Sequence, residues 1–395
     1  FLTVPALVQG QDQPEPVPLS LDKAVEMALE NHPEVQNARL EVIKAEKMRG
    51  GILDLPETEV IYQYGQINSE LRDPMLQINQ PLGSALTHIK RANVVNQQVA
   101  REEAGLEVSK RSIEREVQSA YYLWMYEHGI LRQRQREFDL YASFSQKVNL
   151  RYETGESDML EKTLADAQYA NAANAVRKQE DQVQISEKRL KQLLFDNSLG
   201  DIRPASDSLT RIGTDPRAII ENSDQLLLEA QKREVGLRQA QTGLEKSRFF
   251  PGLSVGYFRQ NITDSELNLN GLQGWQVGIS FPLWFLPQKS RINQARIQEE
   301  QAGNSLDYLQ YQLNQEMEKL LLQLEQAEKQ LDYYQRTALP QSDIIFRTAD
   351  LQLEQGEIDY FRYLQSVSAA IRIRMDYLAS LNDYNQTMIQ ISYYR

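Results

Sequence analysis

Cysteine is absent from the 395 residues. A disulfide framework, a thiolate metal site, a cysteine nucleophile and an acyl anchor on a cysteine within these residues are therefore excluded. Histidine is scarce: His32, His88 and His128 lie far apart, and none has a second histidine at ligand spacing. Basic residues are outnumbered, 43 Lys and Arg against 55 Asp and Glu, for a net charge of −12. That balance argues against nucleic acid as a partner and against a basic face turned to an anionic membrane. No apolar run reaches the roughly 18 residues of a transmembrane helix, so a membrane crossing by this chain must use strands. Glycine (19) and proline (14) are few and clustered, which leaves most of the chain for regular structure. No carboxylate pair sits in a Gly-rich or strand-end setting that points to catalysis. The sequence reads as a non-enzyme with no cofactor and no metal site.

What is present is one plan written twice. "ETGESD" (153–158) returns as "EQGEID" (354–359) at an offset of 201, with Glu153, Gly155, Glu156 and Asp158 meeting Glu354, Gly356, Glu357 and Asp359. At an offset of 195, Pro56 meets Pro251, each opening a strand-like run. Each half reads helix, strand, strand, very long helix, Gly turn, helix. The expected boundaries are a signal-peptide remnant or extended leader at 1–18, a first repeat at 19–195 with its strand hairpin at 56–82, a connecting equatorial segment at 196–216, and a second repeat at 217–395 with its hairpin at 251–284. The leader reading rests on an apolar start followed by Val8 and Gly10 before Gln11.

The strands alternate strictly. Val60, Tyr62 and Tyr64 form one set, and Trp275, Val277, Ile279, Phe281 and Leu283 form the cleanest. Period two over about ten residues fits a membrane-spanning strand with apolar side chains outward; an antiparallel sheet with one wet face gives the same pattern. From about Ser84 to Tyr152 there is no proline, and from about Gln288 to Gln355 only Pro340. At 1.5 Å per residue each such helix is about 100 Å long. The shorter helices on either side together match the long one, as in a wall of paired helices. Four strands cannot close a barrel, whereas a trimer supplies twelve strands and leaves no edge open to lipid.

The chain resembles the TolC family of bacterial outer-membrane efflux proteins from about Leu19 to Arg395. The resemblance rests on "LSLDKAVEMALENHPEV", on "INQPLG" (78–83) and "ISFPLWF" (279–285), and on the turns "LRYETGESDMLEKTLADAQ" and "LQLEQGEIDYFRYLQSVSA". It implies a mixed α and β membrane protein: a homotrimer whose twelve-stranded outer-membrane β-barrel, four strands per chain, continues into a long periplasmic α-helical barrel. Pro81 and Pro282 match the family's prolines at the strand-to-helix turn. The implied function is the exit duct of a tripartite export machine, fed by an inner-membrane pump through a periplasmic adaptor. The heavy-metal and drug efflux branch is the nearer likeness. The alternatives are a type I protein-secretion duct and, in another class, a soluble periplasmic coiled-coil scaffold. The implied location is the outer membrane, in contact with its lipid and reaching into the periplasm.

Within the hexapeptides, glycine supplies the left-handed residue that ends one helix, and Glu156, Asp158, Glu357 and Asp359 are expected to open the next. The resemblance adds adaptor docking at these turns. It also places Glu161 where the family tends to carry acidic pore-mouth residues, opposite Arg362 in the second copy. Those two are the candidates for a gate, either as part of a charged ring or by pairing across helices; the alternative is that the acids of the turns only cap helices. Leu150, Leu160, Leu164, Leu351, Leu353 and Leu364 are expected to divide between hairpin core and docking surface.

Overall fold

The computed structural model describes residues 16–67, 70–196, 199–213, 226–263 and 268–394. The leader, apart from Pro16 to Pro18, and the segment 214–225 lie outside the described residues. The chain forms two compact units, each assembled from separated stretches of sequence. One comprises Asn37–Val108 and Gln225–Gln312; the other comprises Phe1–Gln36, Ser109–Asp224 and Leu313–Arg395.

In chain order the elements are β1 (Val17–Leu19), α1 (Leu21–Asn31), α2 (Pro33–Lys47), β2 (Glu59–Gly65), β3 (Asp73–Gly83), α3 (Ala85–Glu153), α4 (Met159–Leu194), β4 (Ile202–Pro204), α5 (Leu226–Ser247), β5 (Gly252–Thr263), β6 (Asn268–Ser280), α6 (Phe285–Tyr333), α7 (Leu339–Glu354) and α8 (Tyr360–Tyr393). A 3-10 turn, Met48–Gly51, follows α2, and a π-helical turn, Tyr334–Ala338, joins α6 to α7.

The first unit is built on an antiparallel sheet of order β2-β3-β5-β6. Its register runs Val60–Ile78–Tyr257–Trp275 across all four strands. Because side chains alternate, Val60, Tyr62, Tyr64, Leu76, Ile78, Val255, Tyr257, Trp275, Val277 and Ile279 share one face. That face is predominantly apolar, with Gln80, Arg259 and Gln273 as polar members, and uncovered: Val60, Tyr62, Tyr64, Trp275 and Val277 are 62% to 78% exposed. The other face carries Gln63, Gln77, Asn79, Ser254, Gly256, Gln276 and Gly278, with the Gln77 amide donating to Gln276 Oε1 at 3.1 Å. There Phe258 lies over Gly274, where a Cβ would come within 2.7 Å of its ring.

The second unit is helical. Trp124, Leu190, Leu194, Ile371, Met388 and Ile389 are buried in it. Gly129 of α3 allows the close approach of Leu378 of α8, which would lie 3.3 Å from an added Cβ. The connecting segment is tied to these helices. β4 pairs in parallel with β1, and Tyr121 Oη donates to the Leu19 carbonyl at 3.0 Å. Fully buried Asn385 accepts from the Ile212 amide at 3.0 Å and donates to the Thr210 carbonyl at 2.8 Å.

Three sequence expectations are corrected. The single helix expected to open the first half is two, α1 and α2. The break falls at His32, which is extended (ψ 127°), because Pro33 crowds its predecessor out of the helical region. The second long helix is interrupted by the π turn just ahead of Pro340. The ring of Pro340 would collide with the carbonyl four residues back, and the wider turn relieves that collision. Pro81 is not at the strand-to-helix turn but inside β3, opposite Ser254. A residue without an N–H is tolerated there because the pairing with β2 ends at Asn79. The turn itself falls at Gly83, with φ of +72°. Pro282 lies between β6 and α6.

Candidate functional site

The two acidic hexapeptides have the same backbone. Gly155 and Gly356 adopt φ of +79° and +71°. In the first, the Glu156 amide donates to the Arg151 carbonyl at 2.7 Å and the Gly155 amide to Tyr152 at 3.1 Å. In the second, Glu357 donates to Gln352 at 2.8 Å and Gly356 to Leu353 at 3.1 Å. Each is the pair of reversed bonds that satisfies the last carbonyls of a helix, a Schellman motif, and glycine is needed at its left-handed position. Two residues on, the Asp158 carboxylate accepts from the Glu161 amide at 2.7 Å, and Asp359 accepts from the Arg362 amide at 2.7 Å. These aspartates are the N-caps of α4 and α8. Glu156 and Glu357 therefore end the incoming helix through their backbone rather than opening the next through their carboxylates. Glu153 and Glu354 are the last residues of α3 and α7 and are exposed.

The two turns lie side by side. Phe144, Val148, Ala165 and Leu364 form one buried cluster between them. The rings of Phe144 and Tyr360 stack at 5.3 Å, with Lys147 Nζ 4.5 Å over Tyr360. A cavity of about 1060 Å³ opens between the hairpins, and both N-cap aspartates line it, with Arg151, Glu161, Leu164 and Phe361. Behind the first turn, Ser145 Oγ and Asn149 Nδ2 both donate to Asp166, at 2.8 and 3.1 Å. Behind the second, Tyr363 donates its hydroxyl to Asp350 at 2.8 Å. Burial, and then that bond to a carboxylate, push the phenol pKa far upward, so Tyr363 stays a donor.

The expected gate pair does not form within the chain. The Glu161 carboxylate is engaged by Arg151 at 3.2 Å and Ser157 at 2.6 Å, both on its own hairpin. The guanidinium of Arg362 is exposed and makes no ion pair among the described residues. The leucines divide: Leu364 is core, Leu353 is half-buried, and Leu150, Leu160, Leu164 and Leu351 are exposed. Met159 and Phe361, 62% and 67% exposed, extend the apolar rim and escaped the sequence reading. Their signal was position: each lies within two residues after an N-cap aspartate. Among the described residues no cluster of three or more His, Asp or Glu side chains fit to hold a metal is present, and no helix is long and apolar enough to cross a membrane.

Residues 217–393 match the outer membrane efflux protein family. Over 388 residues the chain is 23% identical to the cobalt-zinc-cadmium resistance protein CzcC of Cupriavidus metallidurans, covering 95% of this chain and 89% of that one. The CmeC outer membrane channel of Campylobacter jejuni superposes with a TM-score of 0.76 at 14% identity, over all of this chain (100%) and 93% of the other. The open-state MtrE outer membrane channel of Neisseria gonorrhoeae superposes with a TM-score of 0.71 at 14% identity, covering 95% of this chain and 88% of its own.

Proposed function

We infer that this chain, a TolC-like outer membrane efflux protein, is the exit duct of a tripartite efflux system, carrying substrate across the periplasm and outer membrane. The observation that carries the reading is the sheet. One face is predominantly apolar and largely exposed, with Gln80, Arg259 and Gln273 as its polar members; the other is mostly polar and rich in glycine. Such an uncovered apolar face is tolerated when lipid covers it. A soluble coiled-coil scaffold has no use for it. The sheet also ends in two strands with one free edge each, β2 and β6. Open edges are not tolerated in hydrocarbon, so closure across copies is required. Three copies give twelve strands, enough for a water-filled lumen. The helical hairpins then form the periplasmic barrel.

The Schellman turns are the surface for the periplasmic adaptor, which joins the duct to the inner-membrane pump. Likeness to a cobalt-zinc-cadmium resistance protein favours heavy-metal cations as cargo over a secreted polypeptide. A lumen lined by glutamine, asparagine and glycine passes such ions without binding them. The charged groups of the turns, Glu161 and Arg362 among them, set the electrostatics of the mouth.

The test is reconstitution. Detergent-extracted protein is expected to run as a trimer and to open discrete conductances in planar bilayers; recovery as a detergent-free soluble protein refutes the duct. In the same bilayers Glu161→Ala with Arg362→Ala is expected to raise conductance, because Arg151 and Ser157 lose the group they hold. An unchanged conductance removes these two residues from the gate. Cysteines placed singly at Glu153 and Glu354 are expected to cross-link to the adaptor.

A further inference from the structure

The net charge of −12 hides a local reversal. Four helix ends meet the root of the sheet, and each carries two cations within three residues: Lys47 and Arg49, Lys90 and Arg91, Lys246 and Arg248, Lys289 and Arg291. Hydrogen bonds hold these ends at one level. Thr87 Oγ1 donates to the Ser247 carbonyl at 3.2 Å, joining the start of α3 to the end of α5. Gln288 donates to the Glu245 carbonyl at 2.6 Å, joining α6 to α5. Arg91 donates to the Asp54 carbonyl at 3.3 Å, joining α3 to the chain after α2. The eight cations therefore sit on helix ends that are tied to one another at the foot of the strands, and we take them together as a basic belt.

The belt is poorly neutralised. Only Arg91 and Arg248 have carboxylate partners, Asp54 at 3.6 Å and Glu245 at 3.5 Å; the other six make no ion pair among the described residues. The stretches 84–101 and 281–298 each hold three Lys or Arg and no Asp or Glu. Neither α3 nor α6 has an acid in its first turn to complement the helix dipole, so no acid at these two equivalent helix starts offsets the cations that follow. The belt also adjoins the most exposed large apolar side chains among the described residues, Trp284 and Leu286 at 86% and 82%. Aromatic residues beside Lys and Arg are the pattern of a membrane–water boundary.

We propose that this belt binds anionic phospholipid headgroups of the leaflet facing the periplasm. The occupant follows from charge complementarity and level: phosphates at the foot of the apolar face meet the six uncompensated cations. The proposal rests on the reading of the sheet as membrane-spanning.

The test uses full-length protein in nanodiscs of phosphatidylcholine with and without phosphatidylglycerol. Wild-type protein is expected to retain phosphatidylglycerol over phosphatidylcholine in native mass spectrometry and to melt several degrees higher in the anionic discs. The exposed variant Lys47→Gln, Lys246→Gln, Lys289→Gln, Arg291→Gln is expected to insert as wild type does but to lose roughly tenfold of the lipid preference. Equal retention of both lipids by inserted wild-type protein, or an unchanged preference in the variant, overturns the headgroup site and leaves the duct intact. A variant that loses its trimer equally in both lipids places these charges at a subunit contact and also overturns it. Failure of wild-type protein to enter either disc overturns both this proposal and the duct.

Discussion

At the scale of single residues, the hexapeptides are two helix ends made by different atoms. The aspartate carboxylate caps the outgoing helix, so Asp158→Ala and Asp359→Ala are each expected to weaken the first turn of α4 or α8 by about 1 kcal/mol. Amide exchange in those turns, read by mass spectrometry, is expected to quicken about fivefold while the rest of the helix is unchanged. Gly155 has open space around its Cα, so Gly155→Ala suffers only the left-handed backbone, again about 1 kcal/mol. A second residue effect sits on α3. The Nε2 atom of His128 is buried without a hydrogen-bond partner, and its ring lies edge-on to Trp124 at 5.3 Å. Burial holds its pKa below the ordinary histidine value; Arg132 adds to this, and Glu187 opposes it weakly. The unfolded chain takes up that proton more readily than the folded one. Stability tied to His128 is thus full above about pH 6.5 and is lost as pH falls through that value toward the lower folded pKa. A thermal melt series from about pH 7 to about pH 5 is expected to show a smaller decline for His128→Gln than for wild type.

At the scale of elements, proline separates what was legible from what was not. Long helices, strand pairs and Gly turns were all legible, because periodicity and glycine are local signals. The break at His32 was legible in principle from Pro33 alone. Pro81 misled because its tolerance depends on where β2 stops, and that is a fact about a different strand. The π turn before Pro340 was likewise legible in principle, since the proline ring alone displaces the carbonyl four residues back. Two residues past the proline, fully buried Ser342 donates to the Ala370 carbonyl of α8 at 3.1 Å. The contact admits only a small side chain. Ser342→Leu is therefore expected to destabilise by about 1–3 kcal/mol through overpacking, read as a lower far-ultraviolet melting midpoint, with Ser342→Ala milder. The site divided in the same way. Glycines and capping aspartates were readable from spacing, whereas the Arg151–Glu161–Ser157 cluster needed the hairpin to be closed before its members met.

At the scale of the whole molecule, the decisive quantity is the number of unpaired edges. Every chain offers β2 and β6 as free edges. In the proposed three-copy barrel all copies share one orientation, and there the contact is head to tail, β6 of one copy against β2 of the next. Both edges carry exposed side chains on the same face, Tyr62 and Val277 among them, so a seam that continues the sheet brings these positions together across copies. The absence of cysteine makes this directly measurable, since any disulfide formed comes from introduced residues alone. A set of double variants pairing Tyr62→Cys, or Tyr64→Cys, with Trp275→Cys, Val277→Cys or Ile279→Cys samples the unknown stagger between copies. One register is expected to yield covalent dimers and a covalent trimer as the largest species under oxidising, non-reducing electrophoresis. Every single-cysteine variant is expected to remain a monomer, because head-to-tail contact never places a position against itself. A ladder that climbs past three argues for a larger ring or an open filament. Dimers from single variants argue for a two-fold contact, which leaves edges open and cannot form a barrel in lipid.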